Sequence, residues 1–424
     1  MKTIAENEFR KLIRVRDDFK VFPKNYSPVD VLGETRDYAT VPVTKQTIVF
    51  EVTNACPMGC EYCFISKINK QERLKLAVNT EENVEKLLDY MRSADLDFDL
   101  IFHGGEPLLA KGLIKKVVDS IKHSRMLRNR VAFSMQTSGK GMTSDFLDWL
   151  IDNGVSIGVS VDGLAKGLRD SSPGIELLKM LNERGKRAGL VVVVNSSNQE
   201  TLFEDFKKLY NDFGVRGFNY NSVISDNKHQ LPDLGIVREQ MEKITNYVLQ
   251  NNLTPSLNPM QMFAERLAGG GGSLCYDDGC GGFKRIIAFS TDGKFYACDS
   301  LTDNPAYKAE GPGEFAEKRK ALLKDVIKMK TSLSCSTCKY GYVCCLPCIG
   351  KVSLFGSSEK TMKQACEYNK VFLDILVEKT LDNPLNLYHF IGLGRQPSRR
   401  DVLLAYSRPS AEFHPLNRIG GETK

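Results

Sequence analysis

The sequence has a single tryptophan in 424 residues, no pure aliphatic run longer than Leu190–Val194 and no block of like charge. A helix that crosses a bilayer needs about 20 apolar residues, and no stretch supplies them. The segment Met1–Lys11 is polar and charged, so it lacks the apolar centre of an export signal. The net charge of +6, from 58 Lys+Arg against 52 Asp+Glu, is spread along the chain and gives no argument for nucleic acid. No internal repeat or low-complexity tract is present. No G-x-G-x-x-G opens a helix, which counts against a dinucleotide-binding sheet. With 42% hydrophobic and 26% charged residues, wholesale disorder is excluded and a core that needs no staples is expected. These absences predict a soluble, cytoplasmic protein with no membrane or nucleic-acid partner.

What the chain does have is twelve cysteines. Without an export signal they are not read as disulfides, because the cytosol keeps thiols reduced. Metal sites, redox thiols and scattered buried residues remain, and spacing has to decide between them.

Apolar periodicity gives the frame. Glu6–Val21 reads as a short charged helix and a strand, followed by the turn-rich Pro23–Gly33. From Thr47 the rhythm is regular. Strands are predicted at Thr47–Thr53, Phe98–His103, Arg130–Gln136, Ser156–Val161, Leu190–Asn195 and Gly217–Ser222. Helices between them are predicted at Thr80–Ala94, Leu113–His123, Thr143–Asp152, Gly174–Arg187 and Leu202–Phe213. Such alternation predicts parallel strands with right-handed crossovers, in an open doubly wound sheet or an incomplete (β/α) barrel. Either arrangement puts chemistry at the carboxyl ends of the strands. After Ser225 the rhythm stops. A helix at Val237–Gln250 leads to the glycine-rich Gly269–Gly272. The cysteine-rich stretch beyond shows one convincing hairpin, Arg285–Ser290 with Lys294–Cys298, and so few apolar runs that metal is expected to hold it more than a core does. A last helix is predicted at Lys370–Leu381, before a polar tail.

Cys56, Cys60 and Cys63 follow the first strand as Cys-x3-Cys-x2-Cys. Three thiolates on a tight loop suit three corners of a cubane cluster, with one iron open to an exogenous ligand. Zinc completed by His103, or three unrelated cysteines, are the competing readings. A second group runs Cys280, Cys298, Cys335, Cys338, Cys344, Cys348 and Cys366, with Cys275 upstream and Cys345 over. Its Cys-x2-Cys pair alone reads equally as a zinc ribbon.

The first motif, with aromatic Tyr62 and Phe64, resembles the signature of the radical S-adenosylmethionine superfamily, and Gly104-Gly105-Glu106-Pro107 after the second strand resembles its methionine-binding segment. The resemblance implies a partial (β/α)6 TIM-type barrel over residues 47–255, in which a [4Fe–4S] cluster on Cys56, Cys60 and Cys63 binds S-adenosylmethionine. Reductive cleavage then yields a 5′-deoxyadenosyl radical that abstracts hydrogen. Tyr62, Gly104, Gly105, Glu106 and Pro107 are expected at the cofactor. Gln136 and Ser160 are expected near its ribose, Asp162 near ribose or carboxylate, and Arg169 at the methionine carboxylate. The second cysteine string resembles the SPASM extension of the same superfamily, which implies a small cysteine-rich domain over residues 270–370. Its two auxiliary [4Fe–4S] clusters would take Cys275, Cys280, Cys298 and Cys348, and Cys335, Cys338, Cys344 and Cys366. Asp299 matches an aspartate that acts as general base in SPASM sulfatase maturases. Residues 1–46 form an N-terminal segment available for substrate contact, and 371–424 a C-terminal helix and tail. Tyr296, Tyr340 and Tyr342 are read as packing.

By this resemblance the protein is an oxidoreductase. It would oxidise or crosslink a ribosomally made precursor peptide, drawing electrons from a flavodoxin or ferredoxin. The second reading is an anaerobic sulfatase maturase that makes formylglycine from Cys or Ser. A non-enzymatic multi-zinc or electron-transfer protein is the third.

Overall fold

The computed structural model describes residues 2–6, 10–15, 18–23, 43–63, 77–165, 167–267, 280–302, 304–341, 343–344, 348–353 and 358–391. Cys275, Cys345, Phe64, Tyr342, Gly269–Gly272 and the tail lie outside them.

The chain begins with three antiparallel strands, β1 (Lys2–Glu6), β2 (Arg10–Val15) and β3 (Asp18–Pro23), which form a sheet of their own. This corrects the helix expected from Glu6. The alternation Phe19-Lys20-Val21 is a strand signal, and the many charges around it had obscured it.

A ten-stranded sheet carries the rest. β4 (Lys45–Thr53), β5 (Asp97–Gly104), β6 (Val131–Thr137), β7 (Val155–Ser160), β8 (Ala188–Val194), β9 (Val215–Ser222) and β10 (Ser256–Asn258) are parallel and adjacent in chain order. A doubly wound sheet reverses its strand order at a switch point. No reversal occurs here, so the barrel-type winding is the one adopted, with every right-handed crossover on the same side.

The crossover helices are α1 (Glu81–Ser93), α2 (Lys111–His123), α3 (Ser144–Asp152), α4 (Ser172–Glu183) and α5 (Leu202–Asp212), with α6 (Leu234–Gln250) after β9 and α7 (Met260–Leu267) after β10. Their starts follow ordinary capping chemistry: the Thr80 side chain accepts from Asn83 N at 3.2 Å, and Asp233 from Gly235 N at 2.7 Å. Strand and helix side chains merge in two large apolar clusters. One contains Ile48, Phe50, Phe102 and Leu87, the other Leu190, Phe218, Phe263 and Leu376.

The hairpin β11 (Ile286–Phe289) and β12 (Phe295–Tyr296), followed by β13 (Lys308–Ala309), is not a detached unit. β11 pairs in parallel with β4, Ile286 opposite Thr47 and Phe289 opposite Phe50, so the sheet runs on into the cysteine-rich region. Helix α8 (Phe315–Ser332) buries Leu322, Val326 and Met329 in the same cluster as Ile287, Phe289 and Phe295. At about 1.5–3 kcal/mol for each buried side chain, these residues contribute an apolar core that the few apolar runs of this stretch did not predict. The short helix α9 (Ile349–Ser353) precedes α10 (Glu359–Asp382), which starts eleven residues before the predicted helix and so carries Cys366; α11 (Leu385–Phe390) ends the described chain. No helix among the described residues is long and apolar enough to cross a membrane.

Candidate active site

β4 runs directly into the loop of Cys56, Cys60 and Cys63, and the end of β5 ties that loop down. Gly105 N donates to Thr53 O at 2.7 Å and Glu106 N to Ala55 O at 2.8 Å. A Cβ on Gly104, whose φ is +120°, would lie 2.2 Å from Thr53 O, and one on Gly105 would lie 2.1 Å from Ala55 O. The close approach that needs two glycines is therefore to the chain's own carbonyls at the root of the cysteine loop. Glu106 is fully buried. One carboxylate oxygen accepts from Leu108 N at the start of the Pro107–Ala110 turn and from the Thr137 hydroxyl; the other accepts from Ser138 N at 2.9 Å and from the Ser138 hydroxyl. This carboxylate welds the end of β5 to the end of β6, a role the sequence reading did not foresee.

A second tie comes from β7. The Tyr62 hydroxyl donates to Asp162 Oδ2, Arg169 Nε donates to Tyr62 Oη at 2.7 Å, and Arg169 Nε lies 3.5 Å from Asp162 Oδ1. Arg169 also stacks over the Tyr62 ring at 5.7 Å. Val193 N at 3.0 Å and Asn198 Nδ2 at 2.7 Å hold Asp162 by its side chain and its carbonyl, and Glu61 N donates to Leu168 O at 3.1 Å. Burial pushes the Asp162 carboxyl up, opposed by the Arg169 charge; burial and then Asp162 push the Tyr62 phenol well above its usual range. Burial also works against the Arg169 cation, but Tyr62 and Asp162 outweigh it and its pKa is raised. Next to this trio, Gln136 Nε2 donates to Ser160 Oγ at 2.8 Å across the ends of β6 and β7. Tyr62, Asp162 and Arg169 are thus brought together, as are Gln136 and Ser160.

Cys60 is buried, Cys56 and Cys63 are half-buried, and Cys63 N donates to Cys60 O at 3.1 Å in a tight turn. Burial pushes the Cys60 thiol up, the Arg169 charge opposes this, and the neighbouring Cys56 adds to it. Among the described residues no three His, Cys, Asp or Glu side chains converge on one metal-ion position. His103 pairs in register with Glu51 on the strands below. A zinc ion needs its ligands at about 2.0–2.3 Å from a single point, so these residues are not arranged as a mononuclear zinc site. The thiolates of a cubane attach to separate corners, and three soft sulfur donors on one loop suit it.

The face of the sheet turned away from the helices forms the barrel lumen, and it has two chemically different walls. Val49, Ile286, Ala288 and Tyr296 make a small apolar cluster of their own, with Ile101 and Cys298 packed against it. Across the sheet Phe218, Tyr220 and Leu257 point into the helix-side core, so Asn219, Asn221, Ser256 and Asn258 alternate onto the other face. Gln261 accepts from Ser256 Oγ at 2.5 Å and donates to Glu265 Oε1 at 3.2 Å. Sequence reasoning missed Glu265 entirely; the Asn-x-Asn alternation in β9 was the available signal for a polar wall.

Burial raises the Glu265 carboxyl to about 7 from 4.5, against a lowering by Gln261. A carboxyl with a raised folded pKa binds its proton more tightly in the native state. Its contribution is therefore lost as pH rises between those two values, on the order of 3 kcal/mol when complete. Glu265→Gln is expected to stabilise the protein by that order at about pH 8 and to leave it unchanged at about pH 4. Urea midpoints at the two pH values check this, and equal shifts at both would contradict it.

The remaining cysteines fall into two neighbourhoods. Cys280 is close enough to Cys348 for their charges to interact. Chain on either side of Cys298 adjoins both, since a Cβ on Gly282 would lie 3.0 Å from Ala297 Cβ and one on Gly350 would lie 2.8 Å from Ser300 Cβ. Cys366 in α10 senses Cys338 and Cys335, and Asn369, one turn further on, donates to Cys344 Sγ at 3.6 Å. Asp299 is half-buried at the start of a 3-10 turn (Asp299–Leu301) directly after Cys298, its carbonyl accepting from Thr302 Oγ1 at 3.1 Å. Tyr296 and Tyr340 are buried, bonded to Asp292 and Asp374 respectively.

Residues 50–209 match the model of the radical SAM superfamily. The chain carries a radical SAM domain. A serine-type anaerobic sulfatase-maturating enzyme of Klebsiella aerogenes is 21% identical over 369 residues, which cover 79% of this chain and 86% of that protein. The radical SAM cyclopropyl synthase TigE of Paramaledivibacter caminithermalis is 26% identical over 195 residues, covering 42% of this chain and 39% of TigE. Among solved structures, native anSMEcpe with bound AdoMet and Cp18Cys peptide superposes with a TM-score of 0.65 at 16% identity, over 80% of this chain and 98% of that one. At that identity the likeness is one of fold, the partial barrel of radical SAM enzymes with a cysteine-rich C-terminal region. Residues 50–209 thus form a radical SAM domain, in a chain that is similar to anaerobic sulfatase-maturating enzymes and to a radical SAM cyclopropyl synthase.

Proposed function

We propose that this protein is a radical SAM enzyme that oxidises or crosslinks a ribosomally made precursor peptide. The observation that carries the reading is the three-thiol loop at the end of β4, fixed by Glu106 through β5 and by the Tyr62–Asp162–Arg169 trio through β7. Cys56, Cys60 and Cys63 would hold the [4Fe–4S] cluster that binds S-adenosylmethionine. Cys275, Cys280, Cys298 and Cys348 would hold one auxiliary cluster, and Cys335, Cys338, Cys344 and Cys366 the other. When bound, the first cluster supplies the electron that cleaves S-adenosylmethionine to the radical that abstracts hydrogen from the substrate. Tyr62, Asp162 and Arg169 hold the loop in one position, and Gln136 and Ser160 present their polar groups beside it. The amide-rich wall of Asn219, Asn221 and Asn258 suits a peptide backbone, whose N–H and C=O groups need partners when enclosed. Asp299, next to Cys298 and the apolar wall, takes a proton from the substrate as general base. A reductant of the flavodoxin or ferredoxin class completes the electron supply.

Asp299→Asn is expected to keep cofactor cleavage and lose product, read as 5′-deoxyadenosine by chromatography and as the substrate's mass by spectrometry. Unchanged product yield would remove Asp299 from the reaction. The extended similarity to the Klebsiella enzyme supports a second reading, formylglycine formation on a sulfatase. Co-expression with a candidate precursor peptide or with a sulfatase, followed by mass spectrometry of each, separates the two.

A further inference from the structure

Helix α8 carries six cationic residues against two acidic ones. Its inner stripe of Leu322, Val326 and Met329 is buried. Its outer stripe runs Lys320, Lys324, Ile327, Lys328 and Thr331, all exposed, with Ile327 60% accessible. Lys328 pairs with Asp325 at 2.9 Å, but neither Lys320 nor Lys324 has an ion-pair partner among the described residues. The helix therefore presents uncompensated positive charge around one apolar side chain. Such a patch steers an acidic partner and gives it a small dry contact.

The stripe leads to one place. Cys335 N donates to Lys330 O at 3.0 Å, which roots the cysteine loop on the last turn of α8. Cys335 and Cys338 are half-buried, and the residues beside them, Ser334, Ser336, Thr337 and Lys339, are exposed. The neighbourhood of Cys335, Cys338 and Cys366 thus approaches the surface behind small side chains, next to the cationic stripe and away from the barrel lumen.

We infer that the outer face of α8 is the docking site of an acidic one-electron carrier protein, which exchanges electrons with the iron–sulfur group held by Cys335, Cys338, Cys344 and Cys366. This rests on the proposed function, which supplies that group. In the reducing direction one electron passes from the carrier's reduced flavin; the flavin is oxidised by one electron, the iron–sulfur group is reduced by one, and no bond is made or broken. An acidic peptide substrate is the competing occupant, but the stripe ends at the cysteines and not at the lumen.

The test compares the iron-loaded full chain with its Lys320→Glu/Lys324→Glu variant, using a reduced acidic flavodoxin as probe and dithionite as a small reductant. At low ionic strength the variant should bind flavodoxin at least tenfold more weakly by calorimetry, and flavodoxin should reduce it at least tenfold more slowly. Dithionite should reduce both at the same rate. Added salt should slow the flavodoxin reaction of the wild type and hardly affect the variant. Ile327→Ser should weaken binding while leaving the salt dependence intact. Unchanged flavodoxin affinity and rate would overturn the inference, including the case where the variant instead loses affinity for an acidic peptide. Equal slowing with dithionite would overturn it as well, because the lysines would then act on the iron–sulfur group itself. Protein that loads iron at Cys56, Cys60 and Cys63 alone would refute the auxiliary-cluster assignment and the inference with it.

Discussion

Replacing Cys56, Cys60 and Cys63 together by alanine is expected to reduce 5′-deoxyadenosine formation to background and to lower iron from about twelve to about eight atoms per chain. The fold should survive. The loop is tied down by Gly105 N, Glu106 N and the Tyr62 hydroxyl, none of which is a cysteine. The apolar clusters on either side of the sheet are untouched by the change. Reconstituted variant protein, assayed for iron and for cleavage under dithionite, checks both halves. Persistent cleavage would remove these thiols from the site. Loss of all twelve irons would mean that the cysteine-rich region depends on the first cluster, although α8, β11 and β12 are already packed in the apolar core they share with the barrel strands.

The second large effect is on stability. Arg169→Met removes the cation beside Asp162, which is 7% exposed. Breaking a buried ion pair from one side destabilises by about 3–5 kcal/mol, because the surviving charge is left uncompensated. Burial already pushes the Asp162 carboxyl up and Arg169 opposes it, so removing the arginine raises it further. The neutral acid needs no counterion. The loss should therefore be greatest well above the folded pKa of Asp162 and shrink as pH falls through it. In Arg169→Met/Asp162→Asn most of the loss should disappear. Urea unfolding of the four proteins of this cycle measures the coupling. If the double variant is as unstable as Arg169→Met, the penalty comes from lost stacking on Tyr62 and not from the stranded charge.

The six-beat strand rhythm was legible because the strands bury an apolar side chain at about every second position, as β5, β6 and β9 do, and because β4 and β8 read as nearly unbroken apolar runs. The same rule hid α8. Its buried stripe is three residues long and sits among six cations, so composition reported a solvated segment. The β1–β3 meander was obscured in a similar way. In the site, Cys56–Cys63 and Gly104–Pro107 could be read because each is local. The bonds that make them one structure are not: Tyr62 reaches Asp162 across 100 residues, and Glu106 reaches Ser138 across 32. No local pattern specifies such pairs. Glu265 was invisible for a further reason. Its raised pKa is a property of enclosure by the fold, which no local pattern in Met260–Leu267 encodes.

The central claim is that the loop of Cys56, Cys60 and Cys63 holds a cluster with one corner open to S-adenosylmethionine. Electron paramagnetic resonance of the reduced, iron-loaded protein, recorded with and without S-adenosylmethionine, tests it most directly. The account predicts that the cofactor changes one of the cluster signals in the wild type, and that this responsive signal is missing from the triple-alanine variant while the auxiliary signals persist. A spectrum unaffected by the cofactor in the wild type, or one that responds equally in the variant, would contradict it.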